Sequence, residues 1–293
     1  GRKDPSAQMQ AIISDPVTYP LFSSHLDQAA LQYLKDLGNQ HPSYNGNVSD
    51  WVSSTRISSN MEAILKSMND PRLPVFSMPT PASVGGTPEY GGVPNSIVNV
   101  SDWNGGETNH SAIGLLWAPR AFAPDFASEN AAQSVLMSYS EVQFILAEAR
   151  EKGYITIGDA ETYYLDGIKD QFSYYSSRIP GNFTLPTAGQ VIPSSAYYLN
   201  ANVVFNGTQT EKLNKIYTQK WLSLFLCGAE AWSHWRRTGV PIITPGPNSG
   251  GYIPLRYLYP SDEQDQNPEN YDIAKTLLGG PDDLKTPVWW DVD

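Results

Sequence analysis

The side chains with the clearest chemical purpose in this chain are aromatic rings set among amides in one Gly- and Asn-rich stretch. Trp103 sits in Val100-Ser-Asp-Trp-Asn-Gly-Gly-Glu-Thr-Asn-His-Ser111, beside Asp102 and Asn104 and close to Asn109. Tyr90, in Pro-Glu-Tyr-Gly-Gly, and Trp117, in Leu-Leu-Trp-Ala-Pro-Arg, flank that segment, and Trp51 in Val-Ser-Asp-Trp-Val-Ser-Ser is an outlying candidate. Sugar rings lay their C–H faces on Trp or Tyr, while Asn and Asp bond the hydroxyls. This chemistry gives affinity without catalysis. The competing reading is that each ring packs beneath its own loop, and Leu115-Leu116-Trp117 has the apolar look of a buried segment.

Other chemistries lack their signatures. There is no phosphate-binding GxxxxGK[ST], no GxGxxG, no HExxH, no CxxC and no GxSxG elbow. The chain therefore calls for no cofactor and no metal. The four histidines, His25, His41, His110 and His234, are never three or four residues apart, which disfavours a zinc site. Asp102 to Glu107 opens like a calcium loop, but its Gly falls one place early and the twelfth position is Ile113, so a turn is expected. Glu141 and Glu148 share a helix and could imitate a glycosidase acid pair, whose spacing only a fold can set. The simpler expectation is that Glu141 caps the helix and Glu148 is solvated.

The elements that position these residues follow from periodicity. Met137 to Gly153 specifies a helix: Ser138 and Glu141 are spaced as a capping box, and Val142, Ile145, Leu146 and Ala149 form one apolar face. Lys152 and Gly153 close it. Asp159 to Tyr175 reads as the second arm of a hairpin, and Leu213 to Leu226 as a further helix. Ala229 to Thr238 reads as another, stopped by Gly239 and Pro241. Upstream, Asp4 to Leu37 reads as two helices, the second capped by Ser23 or Ser24, and a third runs from Ser58 or Ser59 to Asp70-Pro71. Ser77 to Glu129 has no helical period and reads as a structured loop region with a short strand at Ser96 to Val100. Phe183 to Phe205 is a second loop region, and the chain after Pro241 reads as loop with short extended pieces.

Composition narrows the function further. Charged residues make up 17% and aromatics 12% of 293 residues, with a net charge of −11. That describes a folded protein and argues against nucleic acid, which needs a basic footprint. The lone Cys227 excludes an internal disulfide and reads as a buried small hydrophobe. No apolar run approaches the ~18 residues of a membrane span.

Three blocks carry a family resemblance. They are Met-Ser-Tyr-Ser-Glu-Val-Gln-Phe-Ile-Leu-Ala-Glu-Ala-Arg-Glu-Lys-Gly from Met137, Ile216 to Pro241 (IYTQKWLSLFLCGAEAWSHWRRTGVP), and Pro254 to Trp290 with its YPSDEQDQNPEN and late WWD strings. Asp70-Pro71-Arg72-Leu73-Pro74 adds a fourth, looser match. Together they resemble the SusD/RagB family of Bacteroidetes cell-surface nutrient-binding lipoproteins. The resemblance implies a mainly α protein on a tetratricopeptide-like α/α superhelical scaffold, with long irregular loops and a few short strands. Residues 1–293 then read as one SusD-like domain whose ligand face is the loop region 77–129. It implies binding of oligosaccharide at the bacterial outer-membrane surface and delivery to a SusC-like TonB-dependent transporter, with no reaction catalysed. Peptide capture, as in RagB-like members, is the alternative, and a glycoside hydrolase or a pure interaction module are more distant ones. The opening GRKDPSAQMQ resembles the middle of such a protein, so the signal, the lipid-anchor cysteine and the first helical hairpins are expected to be missing from this chain. Trp221, Trp232, Trp235, Trp289 and Trp290 fall in the matching blocks and are expected in the core, and Arg236-Arg237 is expected to be a helix-terminal charge pair.

Overall fold

The computed structural model describes residues 4–34, 38–124, 132–180 and 191–291. In chain order these carry α1 (Ser6–Ser14), β1 (Ala29–Gln32), α2 (Val48–Ser54), α3 (Ser59–Met68), α4 (Leu73–Phe76), β2 (Gln133–Met137), α5 (Tyr139–Glu151), α6 (Ala160–Arg178), α7 (Ser195–Tyr198), α8 (Gln209–Ser223), α9 (Gly228–Thr238), α10 (Ser261–Gln266) and α11 (Pro268–Leu278). The protein is mainly helical, with one two-stranded antiparallel sheet among the described residues.

The helices begin and end where their caps stand. Ser58 caps α3 through the Met61 amide, and Asn69 closes it in the left-handed region. Asp159 caps α6 through Thr162. At α5 the Ser138 hydroxyl accepts from the Glu141 amide at 2.9 Å, but Glu141 does not reach back to complete the box. Its carboxylate faces Lys220 at 3.4 Å. The complete capping box lies instead at Thr208 and Glu211, opening α8.

The α5–α6 hairpin and α8 form the framework. Phe144, Ala147, Tyr164, Ile168, Ile216 and Leu222 meet in the main core. Gly167 lets α5 and α6 approach, since a Cβ there would lie 2.8 Å from the Phe144 ring. α5 is buried on more than the one face expected. Val142, Leu146 and Ala149 join Ile155 in a second cluster that Met9 and Ile13 of α1 cover, while Phe144 and Ala147 turn to the main core. A polar pillar crosses that core. Arg72 is fully buried and donates to Asp70 at 2.9 and 2.6 Å and to Gln219 Oε1 at 2.8 Å. Asp-Pro-Arg-Leu-Pro thus ties the turn after α3 to α8.

Three sequence expectations are corrected. Residues 23–34 are not a helix, and 35–37 lie outside the described residues. The Asp27 carboxylate accepts from the Ser23 and Ser24 amides at about 3.0 Å, and the His25 amide and ring Nδ1 are held by Asp170 at 3.1 and 2.8 Å. These bonds turn the chain before a helix can start. Ala29–Gln32 then pairs with Gln133–Met137, Ala30 opposite Val135, leaving Leu26 85% exposed. No strand forms at Ser96 to Val100. The loop region is instead stitched by isolated bridges, Arg56 to Ala112, Ser58 to Val93 and Ser77 to Ile113. Residues 125–131 and 181–190, which take in part of each loop region, lie outside the described residues. Beyond Pro241 the chain forms α10 and α11 rather than extended pieces. Acids in the first turn of α10 and Pro268 at the start of α11 are helix-start chemistry.

Candidate functional site

The Trp103 loop is a rigid, half-open shelf. Trp103 is 38% exposed, and its Nε1–H donates to the Gly92 carbonyl at 3.1 Å, which fixes the ring. Beneath it His110, fully buried, donates from Nε2 to the Trp103 carbonyl at 2.8 Å. Asn104 takes a left-handed backbone, φ 50°, and its carbonyl accepts from Asn109 Nδ2 at 2.8 Å. In return Asn104 Nδ2 donates to the Asn109 carbonyl at 3.4 Å. Gly91 lies against this pair. A Cβ there would fall 2.0 Å from the Asn109 carbonyl oxygen.

Trp103, Asn104 and Asn109 are therefore brought together. Asp102 stands on the outer turn and accepts from Asn99 Nδ2 at 2.6 Å. Tyr90 is next to Gly91 but points inward. Its ring packs on the main core and burial pushes its hydroxyl up to about 12, while its carbonyl accepts from Lys66 Nζ. Trp117 is in the core with Phe76, Tyr175 and Phe225, so it presents no face to the shelf. Trp51 is half-buried against the same core. Among the described residues no three His, Cys, Asp or Glu side chains are grouped to hold a metal ion.

A second concavity was not anticipated. Trp221, Trp232, Trp235 and Tyr252 wall a cleft of about 490 Å³, faced by Asn95 and Asn248. The Trp232 indole donates to the Pro254 carbonyl at 2.8 Å and the Trp235 indole to Pro241 at 3.2 Å. Both rings are thereby fixed, and Arg236 covers one face of Trp232. This corrects the core expectation for Trp232, Trp235 and Trp289, whereas Trp221 packs against the main core. Trp289 is 87% exposed, and Trp232 and Trp235 are only partly buried. Gly228, Ala231, Trp232 and Trp235 all line the cleft at the i, i+3, i+4, i+7 spacing of one helix face. The periodicity was in the sequence; it does not say whether such a face meets a core or a cleft.

An ion network holds α9 in place. Arg237 donates to both Glu148 oxygens at 2.6 and 2.8 Å, Lys152 to Oε1 at 2.7 Å, and Tyr217 to the same oxygen at 3.2 Å. Burial opposes the Glu148 charge, but Arg237 and Lys152 outweigh it and hold the carboxyl down at about 2. His234 donates to the Tyr217 carbonyl at 3.0 Å, and burial, helped by Lys220, lowers its imidazole to about 4. Glu148 is thus a buried clamp, not the solvated acid expected. Arg237 is its partner, not a simple end-of-helix charge. Arg236 lies 3.9 Å over the Trp232 ring and bonds the Leu255 carbonyl at 2.8 Å.

The chain is similar in structure to several solved proteins. A SusD homologue from Bacteroides fragilis superposes with a TM-score of 0.77 at 26% identity, over 99% of this chain and 62% of that one. A chitin-binding SusD homologue from Flavobacterium johnsoniae gives 0.65 at 26% identity, over 99% and 62%. Another chitin-binding protein gives 0.70 at 28% identity, over 98% and 59%. The chain spans about three-fifths of the length of these structures. A comparison with curated protein sequences finds no match. The SusD-like_2 family profile, described as starch-binding and associating with the outer membrane, matches residues 2–260. On that match, and on the shared helical architecture, this chain belongs to the SusD-like_2 family.

Proposed function

We propose that this protein binds oligosaccharide at the outer-membrane surface without transforming it, and passes it to a SusC-like TonB-dependent transporter. The family's description as starch-binding and the chitin-binding relatives support a glycan over a peptide. The observation that carries the reading is the Trp103 ring, half-exposed and pinned by its own N–H to Gly92, beside the mutually bonded Asn104 and Asn109. A fixed aromatic face with amide groups at its edge suits a pyranose ring and its hydroxyls. Asp102 stands at the rim, Tyr90 packs inward on the main core, and Trp117 lies within that core.

Native affinity gels containing starch, chitin derivatives and plant polysaccharides test this, with Trp103→Ala and Trp232→Ala run alongside. Retardation of the wild type that is lost in Trp103→Ala is the expected result. Retardation lost only in Trp232→Ala would move the site to the cleft. A folded wild type that no polysaccharide retards would overturn the reading.

A further inference from the structure

The tryptophan cleft beside α9 is assembled from parts of the chain far apart in sequence, and its lip is held in place. Trp235 lines it, fixed by its own N–H to the Pro241 carbonyl at 3.2 Å. No other ring and no cation stacks on Trp235 among the described residues. Asn95, Ser96, Thr244 and Asn248 line the same cleft and are all exposed, so they form its lip. Asn60 ties down one side of that lip. Its Nδ2 donates to the Thr244 carbonyl at 3.0 Å, and its Oδ1 accepts from the Thr244 amide at 2.8 Å. On the other side the Asn248 amide donates to the Ser96 carbonyl at 3.1 Å. The side-chain amides of Asn95 and Asn248 and the Thr244 hydroxyl bond nothing among the described residues. The backbone of the lip is thus fixed while its side-chain donors and acceptors stay available.

The lining chemistry selects the ligand. Every described side chain that lines the cleft is uncharged, which suits a neutral molecule. Aromatic rings with amides and hydroxyls at the lip match the two aspects of a sugar, its C–H face and its hydroxyls. The volume of about 490 Å³ falls within the roughly 300–1,000 Å³ of small-molecule sites. The cleft also lies close to the Trp103 shelf along the chain. Gly92, whose carbonyl holds the Trp103 indole, stands three residues before Asn95, which is at most about 11 Å of backbone. We propose that the cleft is a second sugar subsite, and that one linear glycan chain spans the shelf and the cleft together. The preferred ligand is then an oligosaccharide of several units rather than a mono- or disaccharide. The proposal rests on the sugar-binding reading of the Trp103 shelf for one of its two ends.

Chain length is the variable that tests this. Isothermal titration calorimetry with linear malto- and chito-oligosaccharides, from disaccharide to heptasaccharide, gives Kd against length for the wild type, Trp103→Ala and Trp235→Ala. Short chains are expected to bind weakly, one at each subsite. A chain long enough to bridge both should bind roughly 100-fold more tightly, because its second contact is made within the complex. Trp103→Ala and Trp235→Ala should each abolish that step in affinity and leave the weak binding of the disaccharide at the other subsite. If Trp235→Ala fails to fold by circular dichroism, the double variant Asn95→Ala/Asn248→Ala carries the same test, since both side chains are exposed. A step that survives the cleft variants would overturn the proposal. Short-chain binding that is lost in Trp103→Ala, with no step at any length, would keep the shelf and remove the cleft. Loss of all binding in Trp235→Ala with none in Trp103→Ala would overturn the shelf reading and the bridging with it, so the two fail in distinguishable ways.

Discussion

Replacing Glu148 with Gln keeps the shape of the clamp and removes its charge. The side chain is 11% exposed, and its carboxyl is held at about 2 against an ordinary 4.5. That difference of about 2.5 units, at about 1.4 kcal/mol each, corresponds to about 3 kcal/mol of stability at neutral pH. Because the folded value is the depressed one, the contribution is whole above pH 4.5 and is lost as the pH falls from 4.5 through 2. It should be ~3 kcal/mol at pH 5 and ~1.4 kcal/mol at pH 3. Urea unfolding followed by circular dichroism, on wild type and Glu148→Gln at pH 7, 5 and 3, measures this directly. The gap between the two proteins should narrow by about 2 kcal/mol between pH 7 and pH 3. A gap of the same size at both pH values, or none at pH 7, would refute the argument that Arg237 and Lys152 overcome the cost of burial. The same variant frees α9, so the emission of Trp232 and Trp235 should shift even where the protein stays folded.

Other perturbations probe other parts. Arg72→Met leaves Asp70 buried without its partner and should cost about 3–5 kcal/mol, read as a large drop in the urea midpoint; a near-neutral change would contradict the role of the pillar. Gly91→Ala places a Cβ 2.0 Å from the Asn109 carbonyl, so it should distort the shelf and reduce retardation in the glycan gels with helical content by circular dichroism unchanged. Thr208→Ala removes the one complete capping box among the described helices and should lower stability by about 1 kcal/mol in urea unfolding.

What the sequence discloses depends on the range of the interaction. The caps at Ser58, Ser138 and Asp159 act within three residues, and α3, α5 and α6 start where those residues stand. The apolar run from Leu26 to Leu34 also looks helical, yet it is governed by Asp170 and by β2, more than a hundred residues away. The Glu148–Arg237 clamp spans 89 positions and leaves no local trace, so a solvated acid was the natural reading. For the candidate site, the crowding of Trp103, Asn104 and Asn109 in sequence did foretell their closeness in space, because the loop folds on itself. The inward turn of Tyr90 and the burial of Trp117 were set by Lys66, Phe76 and Phe225, which composition does not reveal. The tryptophan cleft was hidden differently: its helix face was readable, but what lay opposite was not.

The pinned indole of Trp103 has a kinetic consequence. Its N–H bond to Gly92 and the Asn104–Asn109 pair leave no side-chain search to complete on encounter, and a preorganised surface loses little freedom on association. A neutral glycan is also not steered or repelled by the protein's net charge of −11, so capture should be fast and nearly independent of ionic strength. Differences among glycans would then reside in how long each stays on the ring, and a short residence would suit the onward transfer proposed above.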